Sequence, residues 1–321
     1  MSNFFQDKKV LVTGGAGLIG SAFVEQLLEI GASVRTVQHD RPIPLSKEVE
    51  IIEGDLLDSQ VCLAACQGMN AVIHAAGVSG GSKQVTVQAI PMFTDSLLMN
   101  THMLEAARLA GVERYLFISN SSVYAKSEEL LKESDAWGES CKSIPENETG
   151  MVKRVGETQC SLYAKFTDMQ IAIIRAGNAY GSRDNFDLES SHVIPALIRK
   201  AVEKQNPYIV WGSGQTVRDF IHTRDIARGG LFLLEKYAKA EPVNIATGVT
   251  VTIKDVVDLI LKLAGHNQVS VQLDSSAPPT SPAKRIDISQ MQKLGFQPDI
   301  SLEDGLRDAI AWYRQQKGID Q

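Results

Sequence analysis

The first half of the chain alternates short apolar runs with stretches of helical spacing. Lys9-Val10-Leu11-Val12-Thr13 is an apolar run that enters a glycine turn. Residues 17–30 follow with Ile19, Phe23, Leu27 and Leu28 on one helical face. Further strands are predicted at 32–37, 49–52, 71–76, 115–119 and 171–175. Helices are predicted at 58–67, 91–111 and 147–166. Pro91 suits a first helical turn, and Gly111 suits a C-terminal cap. Strands alternating with helices, the strands apolar almost throughout, predict an α/β fold whose parallel sheet is covered on both faces. Beyond Arg175 the alternation loosens and prolines spread through the chain, although 223–236 and 253–265 still read as helices.

The turn after the first strand is Gly14-Gly15-Ala16-Gly17-Leu18-Ile19-Gly20. A strand, three spaced glycines and a helix form the context of a dinucleotide-binding loop. Gly14 permits the tight turn, Gly17 lets backbone approach a pyrophosphate, and Gly20 lets helix pack close to strand. Leu18 and Ile19 open the helix, whose free N–H groups and dipole suit phosphate. This predicts a Rossmann-type doubly wound sheet with a nicotinamide dinucleotide as cofactor. The acid expected at the end of the second strand falls near Gln38, where the chain reads Gln38-His39-Asp40-Arg41. Asp40 would hold the ribose of NAD and Arg41 the 2′-phosphate of NADP. NAD is the expected form of an otherwise open NAD(P). Asp55 and Leu56 follow the third strand, where Asp55 would either meet the adenine amino group or cap a helix. Ala75 and Ala76 end the fourth strand beside the cofactor.

Composition narrows the partners. The 321 residues carry a net charge of −6, which argues against a duplex nucleic-acid binder. No apolar run approaches the roughly 20 residues that span a bilayer. The polar start lacks the pattern of a signal peptide, so a cytoplasmic location and no membrane partner are expected. Cys62 and Cys66 lie four apart on a predicted helix with no His or Cys cluster to complete a metal site. They read as small buried hydrophobes, and no metal is expected. Cys141 and Cys160 show no partner in the sequence.

Several segments together resemble the extended short-chain dehydrogenases, the NAD-dependent nucleotide-sugar epimerase/dehydratase/reductase family. These are the glycine loop, His74-Ala75-Ala76-Gly77, Ser119-Asn120-Ser121-Ser122-Val123-Tyr124, Arg175-Ala176-Gly177-Asn178-Ala179-Tyr180-Gly181, and Trp211-Gly212-Ser213-Gly214 with Arg218-Asp219-Phe220-Ile221-His222. Asp184-Asn185-Phe186 and Ser191-His192-Val193-Ile194-Pro195 most resemble the GDP-fucose synthase branch. The resemblance implies a nucleotide-sugar substrate, with Asn178, His192 and Arg218 as substrate contacts. It implies a dinucleotide-binding domain at 1–176 and a substrate-binding region at 177–321, with 220–247 returning to the first. It also implies a homodimer formed through the two long helices.

The family's chemistry uses a Tyr and a Lys four apart on one helical face. Here Lys153 is present, at the cofactor, but Thr149 stands in the Tyr position. Asn120 stands where a Ser or Thr hydroxyl would relay a proton, with Ser121 and Ser122 adjacent. In the branch named above, a Cys would stand at Ser122 and work with the residue matching His192. Glu146, Glu148, Tyr124, Tyr163 and Lys153 itself are the groups that would act instead. Glu146 and Glu148 also suit a helix start, and Tyr124 also suits packing beneath a loop. Arg218 would grip a diphosphate, or else pair with Asp219 or Asp225. The expectation is a nucleotide-sugar epimerase, dehydratase or reductase with a non-standard site. The alternative is a non-catalytic NAD(P)-binding sensor or partner protein.

Overall fold

The computed structural model describes residues 3–43, 47–77, 89–125, 127, 129–136, 148–274 and 285–319. Seven strands form the central sheet: β1 (Lys9–Thr13), β2 (Ser33–Gln38), β3 (Glu50–Glu53), β4 (Ala71–His74), β5 (Arg114–Asn120), β7 (Gln170–Ala176) and β12 (Lys239–Ile245). Their order is β12-β7-β5-β4-β1-β2-β3, and every pair is parallel. Short strands make two-stranded pieces: β6 (Leu130–Leu131) with β15 (Arg285–Ile286), β8 (Asn178–Tyr180) with β11 (Phe220–His222), β9 (Tyr208–Trp211) with β14 (Val271–Asp274), and β10 (Val217–Arg218) with β13 (Val251–Thr252).

The apolar alternation of the strands divides between two layers. Val10, Val12, Leu116, Ile118, Ala172 and Ile174 join the core under α1 (Leu18–Ile30). Leu11, Tyr115, Phe117, Ile171 and Ile173 face the opposite core, under α2 (Ser59–Cys66), α3 (Ala89–Leu109) and α4 (Glu148–Phe166). Burial on both faces is why these strands read as continuous apolar runs. A second lobe is built by α5 (Val193–Val202), α7 (Ile253–Leu263) and α9 (Leu302–Lys317) around Tyr180, Phe186, Tyr208 and Tyr313. Between them in sequence, α6 (Thr223–Lys236) packs on α1 and leads into β12. The short α8 (Ser289–Lys293) lies against β12.

The expected helices and strands stand with boundaries no more than two residues off. The fourth strand stops at His74 rather than 76, and the third runs one residue later than expected. Cys62, Cys66 and Cys160 are buried free thiols, as core residues would be, while Cys141 lies outside the described residues. Among the described residues no helix is long and apolar enough to cross a membrane, and no group of three or more metal-binding side chains occurs.

Candidate functional site

The strand order reverses between β1 and β4, and a crevice at such a reversal takes the ligand in doubly wound sheets. Thr13 ends β1 in register with His74 at the end of β4. The Thr13 hydroxyl lies 2.9 Å from His74 Nδ1 and accepts from the Ala76 amide at 3.1 Å. His74 Nε2 lies 3.0 Å from Asn100 Oδ1. Burial, with the Lys153 charge nearby, pushes His74 down to about 4, so the ring is neutral and serves as a strut.

The glycine loop turns immediately above. Gly14 has φ +69°, and a Cβ there would come within 2.9 Å of the Ala75 and Ala76 backbone. Gly20 is stricter, because its Cβ would sit 2.1 Å from the Gly14 carbonyl oxygen. Gly17 is the N-cap of α1 and offers no side-chain acceptor to the first-turn N–H groups. Those orphan donors, at Leu18 and Ile19, suit an anion, so the loop fits a dinucleotide pyrophosphate.

At the ribose end, Gln38 Oε1 accepts from the Ile43 amide at 3.1 Å and closes the turn after β2. Asp40 and Arg41 are exposed beyond it. His39 bridges two acids, with Nδ1 3.3 Å from Asp40 and Nε2 3.9 Å from Asp55. Asp55 does not cap α2. It accepts from the Leu57 amide at 2.9 Å, whereas Asp58 is the N-cap and accepts from the Gln60 amide. The Leu56 side chain is buried in the core, so only its backbone can face a ligand.

The carboxyl end of β5 carries Asn120, in register with Ala176, two residues before Asn178. Asn120 Oδ1 accepts from the Ser122 amide at 3.0 Å and from the Ser122 hydroxyl, so Asn120 caps the short turn Ser121–Val123. From α4, Lys153 Nζ donates to the Ile118 carbonyl at 2.8 Å and lies 5.2 Å from the Phe117 ring centroid. Burial pulls the Lys153 ammonium down to about 8, against a partial opposing effect of Glu157. Thr149 lies one turn before it, half-buried.

The alternative phenols are otherwise engaged. Tyr124 is fully buried, donates to Asn244 Oδ1 at 2.5 Å and accepts from Arg175 at 3.1 Å. Burial pushes it up to about 12. Tyr163 donates to Glu105 Oε2 at 2.8 Å, farther along α4. Glu146 and the Glu148 side chain lie outside the described residues. In the second lobe, His192 is the exposed N-cap of α5. Asn178 donates to the Asp219 carbonyl at 2.8 Å, and Arg218 donates to the Val217 carbonyl at 2.8 Å. The Asp219 carboxylate holds the Thr247 and Gly248 amides at 3.0 and 2.8 Å, and Asp225 is ion-paired with Arg228.

One cluster escaped the sequence reading. Ser119, Glu157 and Arg175 are 0%, 2% and 1% exposed. Ser119 donates to Glu157 Oε1 at 2.6 Å, and Arg175 meets both Glu157 oxygens, at 2.9 and 2.7 Å. The spacing of Glu157, four residues after Lys153, was the available signal.

A dinucleotide crevice on a doubly wound sheet, with a lysine helix beside it, defines a class that comparison makes specific. The model of the NAD dependent epimerase/dehydratase family matches residues 10–246, and the chain belongs to that family. The NAD(P) cofactor expected from the glycine loop stands with it. Among curated relatives, a probable GDP-L-fucose synthase 1 of Oryza sativa subsp. japonica is 31% identical over 97% of this chain and 94% of its own length. A dTDP-4-dehydro-6-deoxy-D-allose reductase of a Streptomyces species is 28% identical over 97% of both. The fold matches that of a Thermus thermophilus UDP-glucose 4-epimerase solved with NAD, at TM-score 0.82 and 24% identity, over 95% of this chain and 99% of that one.

Proposed function

We propose that the protein reduces the ketone of a nucleotide-diphosphate 4-keto sugar with a nicotinamide dinucleotide, without a preceding two-base epimerisation. The observation that carries this reading is the Thr149–Lys153 face of α4. Removing a proton from a sugar alcohol needs a phenolate or a comparable base, and Thr149 is far too weak an acid to supply one near neutral pH. A substrate that already carries a ketone needs only a proton donor. The curated relatives named for a 4-dehydro sugar reductase and for GDP-L-fucose synthase support that substrate class.

When bound, the dinucleotide supplies hydride to the carbonyl carbon. The chain's own groups do the rest. The Gly14–Gly20 turn and the first N–H groups of α1 hold the pyrophosphate. Asp40, with Asp55 nearby, favours a free ribose hydroxyl over a phosphate, which makes NAD the better fit even with Arg41 adjacent. The Lys153 ammonium is the acid, and its proton reaches the carbonyl oxygen through the Thr149 hydroxyl, which takes one proton as it gives up its own. Asn120 and the Ser121 and Ser122 hydroxyls border the sugar from the end of β5. Asn178, His192 and Arg218 bind the sugar and its diphosphate. Ser122 is a poor proton carrier and does not serve as the partner of His192 in a two-base epimerisation.

The test is a panel of GDP-, UDP-, dTDP- and CDP-linked 4-keto sugars, incubated with NADH or NADPH in deuterated water. Reduced sugar is expected, with no solvent deuterium on ring carbon. Deuterium on ring carbon would show an epimerase. Dinucleotide binding with no turnover across the panel would leave a non-catalytic binder. Replacing Thr149 with Tyr is expected to add alcohol oxidation, because it restores a phenol one turn from Lys153.

The same reading takes the protein as a homodimer. Helices α3 and α4 leave Leu98, Leu109, Met151, Leu162 and Phe166 exposed, the last by 73%. Apolar side chains grouped on two long helices suit burial against a second copy. Light scattering on the purified protein decides this, and a monomer at micromolar concentration would exclude it.

A further inference from the structure

Thr149, Lys153 and Glu157 follow one another at four-residue intervals and so share a face of α4. The first two face the proposed chemistry. The third points into a buried polar chain. From Glu157 the chain runs to Ser119 on β5 and to Arg175 on β7. Arg175 Nη1 then donates to the Tyr124 hydroxyl at 3.1 Å and to the Glu133 carbonyl at 2.8 Å. Tyr124 passes its hydrogen to Asn244 on β12. The chain thus joins α4 to three neighbouring strands through groups that are each nearly or fully buried.

We propose that Glu157 is a positioning residue for Lys153, fixing the height and rotation of α4 on the sheet through Ser119 and Arg175. The geometry is restrictive in two ways. Both Glu157 oxygens are engaged by the planar Arg175 fork, which tolerates little rotation of the helix. One residue earlier, Gly156 lies so close to β5 that a Cβ would meet the Phe117 ring at 2.3 Å. The helix is therefore held at contact distance from β5. Held there, Lys153 reaches the Ile118 carbonyl, one residue before Ser119. The same strand end thus binds the lysine through its backbone and the glutamate through its side chain. Glu157 also acts at short range as an anion, keeping more of the Lys153 ammonium charged than burial alone would allow.

This inference deepens the reading of Lys153 given above and rests on it, but its test needs no sugar turnover. The lysines of the full chain are labelled by reductive ¹³C-methylation, and the Lys153 signal is assigned by its loss in Lys153→Arg. Its titration is then followed by NMR in the ligand-free protein. In Glu157→Gln the Lys153 midpoint is expected to fall by about one unit, leaving the ammonium about tenfold less populated above it. Glu157→Asp, which keeps the charge, is expected to recover part of that shift. Glu157→Gln strands a buried Arg175 charge and can fail to fold. The double variant Glu157→Gln/Arg175→Met removes both charges, a replacement folds often tolerate, and a downward shift is still expected there, smaller because the opposing Arg175 cation is lost as well. A folded single or double variant whose Lys153 titrates as in the wild type overturns the proposal and leaves Glu157 as a structural ion pair. Failure of the sugar panel, with the NMR shift present, would instead count against the reductase reading.

Discussion

The Lys153 ammonium donates to the Ile118 carbonyl at 2.8 Å, at the carboxyl end of β5, inside the sheet. That bond holds a cation, drawn down to about 8 by burial, against the carboxyl end of β5. If Lys153 supplies the proton, kcat/KM for ketone reduction is level at neutral pH. Above about 8 it falls roughly tenfold per pH unit, because the acid form is lost. Lys153→Met is expected to remove that limb and to lower the rate by about 10²–10⁴. Stability should move the other way. The folded pKa lies below the unfolded value of about 10.4, so the folded state disfavours the charged form. Wild type should therefore gain stability relative to Lys153→Met between about 8 and the unfolded value, read as urea midpoints across that range. A pH–rate profile in Lys153→Met that matches the wild type would exclude Lys153 as the donor.

The glycine loop makes a second, independent expectation. Gly20→Ala places a methyl carbon 2.1 Å from the Gly14 oxygen, and both atoms belong to backbone that the sheet and α1 hold in place. The strain cannot be relieved by a side-chain rotation. A loss of about 1–3 kcal/mol in folding stability is expected, together with a large loss of dinucleotide affinity, since relief must shift the turn that binds phosphate. Calorimetric titration with NADH and NADPH measures the second effect, and urea unfolding the first. Wild-type affinity in Gly20→Ala would show that the pyrophosphate does not rest on this turn.

Much of this arrangement is legible in the sequence, for physical reasons that particular residues show. Strands such as Leu116-Phe117-Ile118 are buried on both faces, so their apolar runs are unbroken. The spacing of Gly14, Gly17 and Gly20 is set by backbone contacts and so survives in sequence. The edge strand β12 was harder to see. It contains Pro242, which an edge position tolerates, and Ala240 has φ +55°, with a register shift between Lys239 and Pro242. In the sequence Glu157 shows only its spacing from Lys153, and Arg175 only its place at the end of an apolar run. Only the fold reveals that they neutralise each other inside it.

Tyr115 offers a test of the core rather than the site. Its ring lies fully buried on β5, among residues that include Cys62, Cys66 and Cys160, and its hydroxyl has no hydrogen-bond partner among the described residues. An unsatisfied buried hydroxyl costs about 1–3 kcal/mol. Tyr115→Phe keeps the ring and removes the orphaned group. It is expected to raise stability by about 1 kcal/mol, allowing for the small void left behind. A urea midpoint that falls in Tyr115→Phe would mean that the hydroxyl is solvated or bonded in solution.

Asp184 sits in the loop between β8 and α5, two residues from Phe186, whose ring stacks on Trp312 and Tyr313. Its Oδ1 accepts from the Asn185 amide at 2.7 Å, while Oδ2 is buried without a partner among the described residues. Burial pushes the carboxyl up to about 7 from an ordinary value near 3.8. The folded state thus favours the protonated acid. Its contribution is fully present below the unfolded pKa and is lost as pH rises towards 7. Above that, the folded protein carries a buried carboxylate at a cost on the order of 2–4 kcal/mol. Asp184→Asn removes the charge and keeps an oxygen for the Asn185 amide. The variant should match the wild type at pH near 4 and exceed its stability by that margin at about pH 8.5. Urea unfolding of both proteins at the two pH values reads the difference. A margin that does not grow with pH would mean that Oδ2 meets water or a cation in solution, and that the loop ahead of His192 is more open than its packing indicates.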